Sequence, residues 1–276
     1  MLKLKNGPVL WLVYALLFLV AACMFFPFIW MILSSFKTPT EILAMPPTII
    51  PKEPTVENYV VLWNKFDFAR FFANSIFITG VCVCAQLYTA SLFGFVLGKY
   101  KFRGRNLAFL AVMFCMMVPT TINVIPLYQM MLWVGWINKY AAVIVPNLIT
   151  LFGTFMMRQF SQSIPNEMLE AARIDGASEW RIFHKICLPM FKNPLSALAI
   201  LQFLWTWDSY MWPMLMLNDI EKYTITLGLG ALNGQYGTPM EKMLAGASIA
   251  VIPVLIVYII FQRRFIEGMA GASVKG

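Results

Sequence analysis

Charge is what this chain of 276 residues lacks most: Asp, Glu, Lys and Arg make up 12% of it, against about 25% in a soluble domain. A chain that is 60% hydrophobic cannot cover itself with a water-compatible surface, so the soluble classes are excluded first. Histidine occurs once, at His184, where a solvated or packed side chain is expected. No Gly-x-x-x-x-Gly-Lys-Ser/Thr phosphate loop is present, so ATP chemistry has to come from elsewhere. No catalytic constellation stands out, which argues against an enzyme. The five cysteines are an odd number. Cys23, Cys82, Cys84 and Cys115 fall in apolar runs and Cys187 in a polar stretch, a poor basis for a disulfide framework. Cys82 and Cys84 would diverge on a helix, which disfavours a metal pair. The cysteines read as small apolar residues. No internal repeat or low-complexity tract is evident.

What is abundant is uninterrupted apolar sequence. Six stretches carry no Asp, Glu, Lys or Arg: 9–36, 71–98, 106–138, 140–157, 193–207 and 243–262. A helix needs about 20 apolar residues to cross a bilayer, and helices are the spanning form expected where alternating strands are not seen. Spans are therefore expected over 9–33, 70–98, 107–131, 140–160, 193–217 and 243–262, with Pro27 kinking the first and Pro119 and Pro126 inside the third. Val20-Ala21-Ala22-Cys23 resembles a lipoprotein cleavage box, but the apolar run continues past it from Phe25 to Leu33. A signal core is only about 7–15 residues long, so a retained first helix is expected.

With the N-terminus placed inside, the inside segments hold 14 of the 21 Lys and Arg and the outside segments 7. That bias supports both termini in the cytoplasm and accounts for most of the net charge of +8 without nucleic acid. Residues 34–69 become an outside segment whose prolines disfavour a regular helix, and 218–241 another, rich in glycine. The expected organisation is 1–69, first helix and external segment, and 70–276, membrane core.

The inside segment 161–192 is more ordered than a connector. Pro165 suits a helix start. Met168, Leu169, Ala172 and Ile174 give an apolar side, predicting a helix over 165–176, and Gly176 supplies a left-handed stop. Ser178 can cap a second helix, with Trp180, Phe183, Ile186 and Cys187 on one side, Arg181 and Lys185 on the other, and Pro189 ending it. The segment could rest on lipid headgroups or dock a soluble partner.

Glu170-Ala171-Ala172, Gly176 after three further residues, then nine residues later Ile186-Cys187-Leu188-Pro189 resemble the EAA loop of ABC importer permeases. The resemblance implies the all-α, six-helix MetI-like permease fold with a cytoplasmic coupling helix. It implies that Glu170, Ala171, Ala172, Gly176, Leu188 and Pro189 belong to the loop that couples to the ATPase. Small Ala171 and Ala172 allow close approach, Glu170 offers a charge, and Gly176 lets the chain reverse. Residues 203–213, with Asp208 where Asn is usual, are similar to the carbohydrate branch and its MalG-like subunit. So are residues 261–268, the C-terminal 271–276 and Asn58-Tyr59.

That branch implies a bacterial cytoplasmic membrane protein that binds no cofactor itself. Its implied partners are a second, MalF-like permease, a cytoplasmic ATPase dimer that binds the ATP, an extracytoplasmic solute-binding protein and a carbohydrate, within membrane lipid. Trp205, Trp207, Asp208 and Tyr210 are candidates for the substrate pathway, since aromatic faces stack on sugar rings and polar groups bind hydroxyls. Tryptophan and tyrosine also collect at membrane interfaces. Asp208 is expected to face the bundle interior or a wet cavity. The alternatives are an ABC permease for a non-sugar solute, or an ion-coupled carrier. The latter usually needs more intramembrane ionisable groups than this one.

Overall fold

The structure, a computed structural model, describes residues 7–235 and 239–273, and every regular element among them is a helix. Among the described residues, four helices are long and apolar enough to cross a membrane: Val9–Ser34, Phe68–Lys99, Tyr140–Gln162 and Met240–Arg263. Two bent pairs, Arg105–Met117 with Thr120–Trp133 and Glu179–Met190 with Lys192–Trp207, bring the number to six if each pair is one span.

Several expected spans are reshaped by proline. The first runs unbroken through Pro27. The third is not one helix over 107–131: it stops at Met117, turns by 91° and resumes. Pro119 disfavours helical geometry in the residue before it, and Val118 is extended at φ −77° and ψ 120°. The fourth passes through a 3-10 turn, Val145–Asn147, at Pro146. The fifth ends at Trp207 rather than 217, and a separate helix, Met211–Met216, follows. Within the glycine-rich segment 218–241, Ile225–Gln235 is helical. Gly228 there lies against the Phe71 ring, where a Cβ would come within 2.3 Å. In 34–69, where no regular helix was expected, Pro39–Ile42 and Glu57–Lys65 are helical; Pro39 sits in the first turn, where its missing N–H costs nothing.

The chain divides into two compact units, residues 1–68 with 229–251, and 69–228 with 252–276. In the first, Asn58 ties the end of the long apolar helix: its Nδ2 donates to the Ser35 and Lys37 carbonyls at 2.8 and 2.9 Å. Tyr59 OH shares a 2.6 Å hydrogen bond with Ser35 Oγ. The buried Lys37 ammonium donates to Thr48 O and lies 5.7 Å from the Trp30 ring centre.

In the second unit the helices Phe68–Lys99 and Leu151–Gln162 meet at backbone distance. A Cβ on Gly94 would fall 2.5 Å from Met157 Cβ, and one on Gly98 2.6 Å from Ser161 Oγ. Ala90 continues the same face and is fully buried. Small residues four apart are what close packing of membrane helices uses, because lipid leaves little hydrophobic drive between them. Around this contact gathers a core that includes Phe95, Ile164, Leu169, Phe183, Phe191 and Leu198.

Candidate functional site

Two places in the second unit carry functional geometry. The first is the segment 161–192. Its helix is Asn166–Ile174, shorter than the expected 165–176, with Pro165 as cap residue and Glu167 in the first turn. Gly176 takes φ +78°. Ala177 N donates to Ala172 O at 2.9 Å and Gly176 N to Arg173 O at 3.0 Å. These are the two hydrogen bonds of a Schellman stop, which needs a left-handed residue four places after the receiving carbonyl. The spacing Ala172 to Gly176 is thus the geometry of the turn. A Cβ at Gly176 meets nothing within 4 Å, so only its backbone angle favours glycine.

The helix uses its two sides differently. Leu169 is buried at 2% exposure and Ala172 packs beside it on the core. Ile174, expected on that side, is 86% exposed, and Met168 is 40% exposed. At 100° per residue, position 174 lies about 140° around from 169. The outward side therefore carries Glu167, Glu170, Ala171 and Ile174, all exposed. Lys99 Nζ anchors the helix entry by donating to Ile164 O and, at 3.0 Å, to Asn166 Oδ1.

After the turn, Ser178 Oγ caps the next helix by accepting from Arg181 N at 3.3 Å. Arg173 forms a two-point ion pair with Glu179, Nε to Oε1 at 2.7 Å, and Tyr100 OH donates to Glu179 Oε2. The Arg173 hydrogen bond is the main reason the Glu179 carboxyl lies below its ordinary range. Burial first, and then the Glu179 contact, push the Tyr100 phenol up to about 12. Phe183 and Cys187 are buried as expected, whereas Trp180 is 61% exposed, its ring 4.2 Å from that of His184. His184 Nδ1 lies 2.9 Å from Trp180 O. Leu188 packs on the core, while Pro189 is exposed. Pro189 does not end the helical run, which continues as a π-turn, Phe183–Cys187, and then Leu188–Met190. Pro189 sits in the first turn of that last piece, where its missing N–H is tolerated.

The second place is a cavity of about 790 Å³ among the broken helices. Ser75, Thr79 and Gln86 reach it from Phe68–Lys99, Asn147 and Thr150 from the break in the fourth span, and Gln202 from Lys192–Trp207. Gln202 Nε2 donates to Thr150 Oγ1 at 3.0 Å, and Gln86 Nε2 to Asn147 O at 2.7 Å. Gln86 Oε1 is shielded from water and has no hydrogen-bond partner.

Trp205 and Tyr210 line this cavity. Trp207 does not: it is buried, edge-to-face with Phe72 at 5.8 Å and stacked on Phe203 at 5.5 Å. Asp208, which follows the last helical residue, is exposed and lies outside the cavity lining. The buried polar stripe was missed, although Ser75, Thr79 and Gln86 are spaced four and seven apart in an apolar run, which puts them on one helix face.

An all-helical chain with several membrane-length helices, a polar cavity and an exposed helix held on a turn is a polytopic membrane permease. It belongs to the family of binding-protein-dependent transport system inner membrane components, which matches residues 90–270. Over the full length of both chains it is 36% identical to the arabinooligosaccharides transport system permease protein AraQ of Halalkalibacterium halodurans. It is 30% identical to the lactose transport system permease protein LacG of Rhizobium radiobacter, over 95% of each chain. In fold it resembles, with a TM-score of 0.82, 24% identity and coverage of 95% of this chain and 99% of that one, a chain of a bacterial ABC transporter that imports the acidic polysaccharide alginate.

Proposed function

We propose that the chain is one permease subunit of an ATP-driven ABC importer for a sugar or oligosaccharide. In this reading it forms half of the translocation pathway and is driven through the segment 161–192. The observation that carries the reading is the helix Asn166–Ile174: one side is fastened by Leu169 and Ala172, and the other presents Glu167, Glu170, Ala171 and Ile174. An exposed isoleucine beside carboxylates is what a soluble partner can cover and read by charge. The names of the relatives support the sugar class.

The partners in this reading are a MalF-like second permease, a cytoplasmic ATPase dimer and an extracytoplasmic binding protein. Both termini are cytoplasmic, as the 14-to-7 distribution of Lys and Arg supports. ATP stays on the partner. This chain's part is mechanical. Displacement of the docking helix passes through Leu169 and Phe183 to Phe95, on a helix that also carries Ser75, Thr79 and Gln86 at the cavity. Gly94 and Gly98 leave no slack against Met157 and Ser161, so the movement is not absorbed on the way.

The test is uptake into proteoliposomes by the complete complex, with either ATP or an imposed ion gradient. Uptake should require ATP. Glu170→Lys should insert and assemble yet lose stimulation of ATP hydrolysis by the loaded binding protein. Uptake driven by the gradient alone, or full stimulation with Glu170→Lys, contradicts the reading.

A further inference from the structure

Among the described residues, the cavity's lining contains no Asp, Glu, Lys, Arg or His. Its polar groups are mainly amides and hydroxyls, and its aromatic surface comes from Phe152, Trp205, Tyr210 and Trp212. Gln86 and Gln202 are 5% and 3% exposed, so these amides belong to the interior. A buried acceptor without a donor costs about 1–3 kcal/mol, and Gln86 Oε1 is one. A hydroxyl entering the cavity can supply that donor, because the terminal torsion of glutamine is soft and lets the amide turn. Trp205 is 54% exposed and offers apolar ring surface for the C–H face of a pyranose or furanose. A carboxylate or phosphate finds no counter-charge in this lining, and leaving a charge unpaired in a desolvated site is costly.

We propose that this cavity is a saccharide subsite, contained within this one chain, that accepts uncharged sugar rings and rejects acidic ones. The inference rests on the importer reading above and adds to it a location and a charge selectivity. Gln86 donates and accepts with ring hydroxyls, Trp205 stacks on the ring, and the charge-free lining rejects anions. Thr206 lines the cavity as well and offers a place to add a charge.

The experiment is equilibrium binding of radiolabelled arabinobiose and of digalacturonate to the purified permease–ATPase complex without binding protein. Arabinobiose import by the same preparation, complete with binding protein, is measured in parallel. Arabinobiose should bind at least about ten-fold more tightly than digalacturonate. Gln86→Leu and Trp205→Leu should each weaken arabinobiose about ten-fold and lower uptake per ATP hydrolysed, with stimulated ATP hydrolysis retained; Trp205→Phe should restore much of the binding. Thr206→Lys should narrow or reverse the preference. Equal binding of the two probes, or unchanged binding in both leucine variants, overturns the proposal. So does no binding by a preparation that imports arabinobiose, and the importer reading then stands. A preparation that imports no saccharide at all overturns that reading and the subsite with it.

Discussion

The segment 161–192 and the cavity sit in the same unit but are assembled by different rules. In the segment's turn, neighbours in sequence do the work, while Lys99 and Tyr100 anchor the segment from a distant stretch. Ala172, Arg173, Gly176 and Ala177 complete one turn among themselves, and Arg173 pairs with Glu179 six residues on. The cavity draws Gln86, Asn147 and Gln202 from three stretches more than 50 residues apart. Local turn chemistry constrains residue type at a fixed spacing. A surface made by three distant stretches constrains only that each supply some polar group on the right face. The first leaves a motif in the sequence and the second leaves scattered polar residues.

That contrast can be broken or sharpened by substitution. The largest effect is expected at Gly94, which holds both regions to one frame. Gly94→Val puts a branched side chain where even a Cβ meets Met157 at 2.5 Å. The cost should be about 3 kcal/mol or more, read as a large fall in melting temperature and loss of both docking and sugar uptake. A folded Gly94→Val complex with normal uptake would show that the two helices separate freely. Next comes Leu169→Ala, which removes a side chain buried at 2% exposure and should cost about 2–3 kcal/mol. Its damage should be confined to the segment: ATPase co-purification falls while arabinobiose binding persists. Loss of both together would erase the distinction between the regions.

Gly176→Ala should cost about 1 kcal/mol through its backbone angle alone, since its Cβ has open space. Ile174→Asp pairs with it as the opposite case. This residue is 86% exposed, so stability should stay within about 0.5 kcal/mol while ATPase association is lost. A destabilised Ile174→Asp would mean that the residue is covered within the chain. The smallest effect belongs to Arg173 and Glu179. The Glu179 carboxyl is held below its ordinary range, so the pair stabilises the fold above the ordinary carboxylate value. That contribution disappears as pH falls through the lowered value. Both side chains are 40% or more exposed, so the effect should be only a few tenths of a kcal/mol. It is measured as a small acid-side fall in melting temperature that Arg173→Gln removes.

Much of the docking segment was legible beforehand: its Gly176 stop, the Ser178 cap and the buried Phe183 and Cys187 are all as the residues suggested. Ile174 departs from the expected apolar side because its helical angle turns it away from Leu169. Breaks in the spans were less legible. Pro27 and Pro119 are both prolines in apolar runs, yet the first leaves a continuous helix and the second introduces a 91° turn. The local backbone preference is the same in both. The residues around both prolines are exposed, and nothing in the structure explains why only the second bends the chain.

By itself the sequence determined the class of molecule. Too little charge to face water and enough apolar length to face lipid leave helices as the form that satisfies the backbone. It also determined the turn at Gly176, because the six consecutive residues from Ala172 to Ala177 suffice to close it. Only the tertiary structure decided which polar residues meet. Gln86 and Gln202 reach one cavity because helices pack closely at Ala90, Gly94, Gly98 and Gly153. Trp207 and Trp205, two residues apart, part company in the same way: one is buried against Phe72 and the other is left at the cavity. A helix alternates its faces regularly, but what stands opposite each face is set by chain folding over more than a hundred residues.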